Sequence, residues 1–167
     1  MNTSQLSGVP EAEFLFIEPP AVDLDRALDS WRWIGLDGME PVAVSAFGEV
    51  FFRATNGSIS HLEMIEGRLV PIAPDWESFV TLLRVADNRD DLLLAGMVVS
   101  ARQNGLILDR AECYDFKIAP VLGGEISVQQ IEKAFFVVKV HIAGQIHRQV
   151  KDLPHGTKIN KVTIGDR

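Results

Sequence analysis

The stretch from residue 41 to residue 72 limits the fold most strongly, because short apolar runs alternate there with signals for tight turns. Four runs of strand-like composition lie within it, at residues 41–46, 49–54, 58–65 and 68–72. Asn56-Gly57 separates the second run from the third, and this dipeptide favours the positive φ angles of a two-residue hairpin turn. These features predict a β-meander, in which successive strands pair antiparallel.

Helices are predicted on both sides of the meander from apolar spacing and capping residues. Asp23 can cap a helix over about 23–33, and Asp75 can cap a second helix whose apolar stripe begins at Trp76. A third helix is predicted from about residue 90 to residue 104, with apolar residues around most of its circumference.

The last third of the chain contains the longest apolar alternation. Residues 134–142 are apolar at every second position, which predicts a strand. The segment 113–118 before it is predicted as a loop or a short strand. Gly144 then opens a predicted short helix that ends near Asp152.

Clustered strands with helices before and after them predict an α+β fold. The predicted sheet is largely antiparallel, is formed by the meander plus a C-terminal strand, and packs against several helices. Its outline is loosely similar to that of the SMI1/KNR4-like folds. Because 167 residues suffice for one substantial core, residues 1–167 are predicted to form a single domain, with residues 1–11 as a flexible lead.

Charge and composition restrict the class of partner. The formal net charge is −7, which disfavours direct binding to nucleic acid and suits a positively charged protein partner. The lone Cys113 cannot form an internal disulfide and is expected to be a small buried group. The chain starts without an apolar secretion segment, and no window is long enough to cross a bilayer, so a cytoplasmic location without membrane contact is expected.

No spacing of histidines, cysteine and carboxylates in the sequence is typical of a metal site, so no metal and no cofactor are expected. His61 is predicted to face solvent on a strand. One alternative remains open, a small metal- or ligand-dependent enzyme built around Cys113, His141 and His147. Another is a regulatory or scaffold domain without such chemistry.

Two long runs near the C-terminus carry a family resemblance. The first is Cys113-Tyr-Asp-Phe-Lys-Ile-Ala-Pro-Val-Leu-Gly-Gly124, and the second extends from Gly144 through Gln-Ile-His to Ile159. They resemble the C-terminal signature of the immunity proteins paired with DNase effectors of type VI secretion. Phe47-Gly48-Glu49-Val50-Phe51 is similar to an upstream element of that family. The resemblance covers residues 41–161, and the chain has a shorter GAD-like N-terminal region than fuller members.

The resemblance implies a binding module without catalytic residues. Such a module would neutralise a cognate toxin, a nuclease effector, by steric and electrostatic occlusion of its active site. The residues expected to contact the toxin are acidic, namely Glu63, Glu66, Asp87, Asp90 and Asp91. A candidate groove for a partner or an anion is formed by Gln145, His147, Lys151 and Lys158.

Overall fold

A computed structural model describes residues 6–154 and 156–165 of the chain. Within them, six α-helices occur at Ala12–Leu15 (α1), Ala21–Asp29 (α2), Trp76–Leu83 (α3), Ala86–Leu93 (α4), Ala95–Gln103 (α5) and Phe136–Val150 (α6). The strands of the same region are Phe16–Ile17 (β1), Glu40–Ser45 (β2), Val50–Arg53 (β3), Ile59–Glu63 (β4), Arg68–Ala73 (β5), Glu112–Phe116 (β6) and Ile131–Phe135 (β7).

The meander predicted from the sequence is confirmed as the centre of an antiparallel sheet. Five strands lie in the order β1-β2-β3-β4-β5, so each strand pairs with its neighbour in the chain. Gly57 has a φ of 89° in the turn between β3 and β4, where the Asn56 side chain accepts a hydrogen bond from the backbone N–H of Ser58. Short β1 pairs with β2 through Phe16 and Ser45 and forms one edge of the sheet.

Both faces of this sheet are covered. On one face Phe51 and Ile59 belong to a core cluster that also contains Phe79 of α3. On the other face Val50 and Leu62 pack in a second cluster with residues of α2 and α6. Because successive strand residues point to opposite faces, coverage of both faces makes β3 and β4 buried along nearly their whole length.

Strands β6 and β7 form a separate two-stranded antiparallel sheet. The Tyr114 N–H of β6 donates to the Ala46 carbonyl at 2.7 Å, which fixes this small sheet beside the end of β2. The α+β class is therefore confirmed, but the position predicted for the C-terminal strand is wrong. That strand was expected over 134–142, whereas the chain leaves β7 at Phe135 and becomes helical at Phe136.

The predicted helices are present with different limits. Asp75 caps α3 as expected, because its Oδ1 accepts a hydrogen bond of 2.8 Å from the Ser78 N–H. The helix expected over 90–104 is divided at Leu94, whose φ of 52° ends α4 and begins α5. Helix α2 ends at Asp29, and a 3-10 turn at Arg32–Ile34 replaces the rest of the helix predicted over 23–33.

The flexible lead was expected over residues 1–11, of which residues 6–11 are described. Leu6 and Val9 are buried in the same core cluster as Phe51. This part of the chain therefore packs onto the sheet, and the N-terminal contribution to the core begins earlier than the sequence indicates. Among the described residues, no helix is long and apolar enough to cross a membrane.

Candidate functional site

An open cleft of about 260 Å³ lies where the meander, the β6–β7 sheet and α6 meet. Most of its lining is apolar, including Phe47, Phe116 and Ile146. Charged side chains also line it, and these are Glu49, Asp115, Glu132 and Lys139. The cleft is therefore an apolar depression with ionisable groups, and segments far apart in the chain build it.

Glu49 and His61 form a buried pair at this cleft. Glu49 Oε2 lies 3.0 Å from His61 Nε2, and each residue is 4 % exposed. The His61 ring stacks on Phe51, its cross-strand neighbour, with ring centroids 4.7 Å apart. The prediction that His61 faces solvent is wrong, because α-helices cover the face of the sheet to which it points. A buried carboxylate requires such a partner, since an unpaired charge in the interior is costly.

Lys139 joins α6 to the other two walls. Its Nζ donates hydrogen bonds to the backbone carbonyls of Phe47 and Tyr114, the latter at 2.9 Å. Asp115 Oδ1 lies 3.5 Å from the same nitrogen, and the ammonium also lies 5.6 Å from the Phe47 ring centroid. The Lys139 side chain is only 8 % exposed. The cleft thus already holds one lysine head group by carbonyl, carboxylate and aromatic contacts.

The sequence elements that carry the family resemblance meet at this cleft. The Phe47 ring stacks on Phe116 at 5.4 Å and contacts Tyr114 at 5.5 Å. Gly48 has a φ of 80°, and its backbone passes close to Val140 and Cys113. The run beginning at Phe47 and the run beginning at Cys113 are therefore adjacent in the structure although they are far apart in sequence.

His147 lies deeper, at the inner side of α6. Its Nε2 donates a hydrogen bond of 2.8 Å to the Met64 carbonyl, and its ring packs 5.5 Å from the Trp31 ring. Removal from water lowers the pKa of His147, while the hydrogen bond to Met64 opposes this shift. Gly67 has a positive φ of 67° and packs against the imidazole so closely that a Cβ there would overlap it.

The four residues of the candidate groove do not line a common surface. His147 is buried beside the cleft, whereas Gln145 lines a different depression on another side of α6. Lys151 pairs with Asp152 at 2.7 Å, and Lys158 is exposed in the C-terminal segment. The groove expected from sequence is therefore not assembled, because residues 145 and 147 project in different directions from a helix.

Gln145 and Gln149 instead hold the segment from Thr163 to Gly165 against α6. The Gln145 amide exchanges two hydrogen bonds with the backbone of Gly165, both at 2.9 Å. Gln149 does the same with the backbone of Thr163, at 2.8 and 3.0 Å. Two glutamines one helical turn apart thus fix an extended segment against α6.

The acidic residues expected to contact a toxin lie in two places. Glu63 and Glu66 occupy the turn between β4 and β5, where the Glu63 carboxylate accepts hydrogen bonds from the Ile65 and Glu66 backbone. Exposed Glu66 pairs with Arg68 at 2.7 Å.

The other three, Asp87, Asp90 and Asp91, are exposed on α4. Asp90 Oδ1 accepts a hydrogen bond of 2.7 Å from the Gly96 N–H and so satisfies a backbone donor in the first turn of α5. Of the five acidic residues, Glu63 and Asp90 therefore have structural tasks, which the sequence does not reveal.

The residues of the enzyme alternative are not brought together. Cys113 is fully buried, and burial raises the pKa of its thiol to about 11. His141 lies on α6, not on a strand, and its Nδ1 is 3.0 Å from the Arg26 carbonyl. The His147 imidazole is hydrogen-bonded to the Met64 carbonyl. Among the residues that the structure describes, no group of three or more His, Cys, Asp or Glu residues could hold a metal ion.

Comparisons with known proteins give a family match and similarity to solved structures. Residues 73–147 match the model of the family described as T6SS immunity protein Tdi1, C-terminal. The chain is also similar to a solved structure titled "Crystal structure of Atu4351 from Agrobacterium tumefaciens", at 16% identity, over 87% of this chain and 76% of that chain, with a TM-score of 0.48. No curated protein gives a significant match.

The matched segment begins at the end of β5 and continues to His147 near the end of α6. It lies inside the range 41–161 over which the resemblance was expected, and it contains the whole run from Cys113 to Gly124. The matched family is one of type VI secretion immunity proteins, and nothing in the comparisons favours an enzyme. Residues 73–147 of this chain are accordingly similar to the C-terminal region of the T6SS immunity protein Tdi1 family.

Proposed function

We propose that this chain is an immunity protein-like binding module that neutralises a cognate bacterial toxin by covering its active site. The observation that carries this proposal is the match of residues 73–147 to the C-terminal region of a type VI secretion immunity protein. Burial of Cys113 and the separate positions of His141 and His147 support a role that does not depend on catalysis.

The proposed partner is a nuclease toxin in the cytoplasm. A nuclease needs a positively charged groove to hold nucleic acid. This chain carries 23 acidic against 16 basic side chains, so its field is complementary to such a groove. It would exclude nucleic acid by occupying the groove and would make no contact with nucleic acid itself.

The acidic contact surface of this proposal is centred on α4. Asp87 and Asp91 are exposed and lie four residues apart, so they project from one side of the helix. Glu66 extends from the β4–β5 turn as a further exposed carboxylate. Glu63 and Asp90 contribute negative charge to the same two places while holding local structure.

Co-expression with the toxin encoded by the adjacent gene tests the proposal. We expect a stable complex on co-purification, and we expect this chain to restore growth to cells that produce the toxin. Failure of the unmodified chain both to bind the neighbouring toxin and to protect cells against it would overturn the proposed function.

The contact surface has its own test. The double substitution Asp87→Asn and Asp91→Asn should weaken toxin binding, whereas Asp25→Asn, at another exposed acidic position on α2, should leave it unchanged. Equal binding by both variants would show that the α4 carboxylates lie outside the interface.

A further inference from the structure

The cleft beside α6 carries excess negative charge. Its lining contains three carboxylates, those of Glu49, Asp115 and Glu132, against the single ammonium of Lys139, which leaves a formal charge of −2 with the histidines taken as neutral. Glu49 is buried, and its carboxylate lies within hydrogen-bond distance of the His61 imidazole. An incoming cation would add a charge-assisted hydrogen bond in a region of low dielectric.

The walls of the cleft suit an aliphatic stem. Phe47, Phe116, Val138 and Ile146 are among the apolar residues that surround the charged groups. Lysine and arginine side chains bury their methylene groups against such surface and present the charge at the end. Lys139 shows this arrangement within the chain itself, since its stem lines the cleft and its Nζ lies among carbonyl, carboxylate and aromatic groups.

The cleft is small and open to the surface. Its volume of about 260 Å³ is close to the lower end of the roughly 300–1,000 Å³ that is usual for small-molecule pockets. Val138 and Glu132 are exposed, so the cleft opens to the surface where a partner protein can reach it. Val138 is 50 % exposed and is therefore apolar surface available for contact.

We infer that this cleft receives a lysine or arginine side chain of the toxin, with the stem against the apolar walls and the cationic head near Glu49 and Glu132. The inference rests on the proposed function and adds to it a place of contact and the chemistry of the group that enters. It is separate from the acidic surface on α4, because the cleft combines burial with charge whereas the α4 carboxylates are exposed.

Opposite charges placed at Val138 test the inference. Val138→Lys puts a cation at the mouth of the cleft, where it repels a basic side chain and can itself occupy the space. Val138→Glu makes a change of similar size and adds negative charge. We expect Val138→Lys to weaken toxin binding by at least about tenfold. We expect Val138→Glu to stay within about fivefold of the unmodified chain, since one exposed charge has a small effect.

Val22→Lys is the matched control, because Val22 is 56 % exposed on α2 and does not line the cleft. All three variants carry the new charge at an exposed helical position, so their thermal unfolding should resemble that of the unmodified chain. Affinity is measured by calorimetry with purified toxin, and unfolding by circular dichroism. Each lysine and arginine of the toxin is then replaced by alanine. The entering side chain is the one whose loss weakens binding to the unmodified chain but does not weaken binding to the Val138→Lys variant.

The outcomes separate the two proposals. If the unmodified chain binds the toxin and Val138→Lys binds equally well, the cleft inference is overturned while the proposed function stands. Equal weakening by Val138→Lys and Val138→Glu would show that the cleft contacts the toxin through shape alone, which overturns the cationic occupant. If the unmodified chain binds no toxin, both proposals fail together.

Discussion

Three ionisable side chains in the interior of this protein, those of Glu49, His61 and His147, have specific partners. Glu49 and His61 pair with each other, and His147 donates to the Met64 carbonyl. Removing one member of such a pair leaves the other buried without a partner, which costs more than the hydrogen bond itself contributes. These side chains therefore make the core sensitive to single substitutions.

The thiol of Cys113 should be unreactive in the folded protein. Burial raises the pKa of Cys113 to about 11, so almost no thiolate is present near pH 8, and the sulfur is closed off from solvent. We expect a chromogenic disulfide reagent to label the protein at pH 8 only after urea unfolds it. Rapid labelling of the native protein would contradict the buried position of this side chain.

His147 should make stability fall as the pH falls. Its pKa in the folded protein lies below the ordinary value of 6.5, so the unfolded chain binds the proton more readily. The contribution of neutral His147 is complete above about pH 6.5 and is lost as the pH drops through the folded-state pKa. The urea midpoint should therefore decrease between pH 7.5 and pH 5.5.

His147→Gln provides the comparison, because a glutamine can still donate to the Met64 carbonyl but does not titrate. The variant should show a smaller change of midpoint over this pH range. An identical pH dependence in His147→Gln would assign the effect to other groups.

Local sequence predicts the environment of single residues only where the neighbours decide it. The prediction that Cys113 is buried is confirmed, and it rested on the preference of a free cysteine for the interior. His61 could not be placed in the same way. Alternation tells which residues share a face, and only the docking of helices far away in sequence decides that both faces are covered. In the sequence, the only available sign of a buried partner for His61 was the charged residue Glu49 next to an apolar run.

Helix α6 shows how two periodicities can compete in one segment. Residues 134–142 alternate and are rich in Val and Ile, which favours a strand. The residues buried in α6 nevertheless include Phe136, Val140, Gly144 and His147, which follow helical spacing through the whole element. The helix is packed against several neighbours, so apolar residues outside this stripe produce the alternation. Only the continuation of the helical stripe to Ile146 and His147 distinguishes a helix from a strand in this segment.

Gly144 allows α6 to approach α2. A Cβ at this position would overlap the Ser30 hydroxyl at the end of α2, and Gly144 is buried. We expect Gly144→Ala to lower the free energy of unfolding by about 1–3 kcal/mol, as overpacking does in other cores. Ser30→Gly removes the opposing side chain and should recover part of this loss in the double variant. Additive effects in urea unfolding would show that the two positions do not interact.

In the molecule as a whole, helices cover both faces of one meander. The cleft lies where this meander meets the β6–β7 sheet and α6. The meander was predictable because its turn residues and strand lengths are local properties. The cleft was not, since it combines residues near 47, near 115 and near 140 that no local rule connects. The family resemblance identified two of these segments as important, and their packing through Phe47 and Phe116 explains why both occur together.

The net charge of −7 should appear in the kinetics of toxin binding. If the proposed partner has a basic active-site groove, attraction between the two proteins speeds their encounter at low ionic strength. We expect the association rate to fall by about tenfold or more between 20 mM and 500 mM salt, with a smaller change in the dissociation rate. Stopped-flow or surface-binding kinetics measure both, and an association rate independent of salt would contradict electrostatic guidance.

The pair Gln145 and Gln149 has a consequence for variation at the end of the chain. Their amides hold Thr163 and Gly165 through main-chain atoms, and every amino acid except proline offers the same N–H and C=O groups. Side chains at these positions can therefore change without altering how the segment is held. Proline at either position would remove one of the two hydrogen bonds made there, because its nitrogen bears no hydrogen, and would leave the bond to its carbonyl.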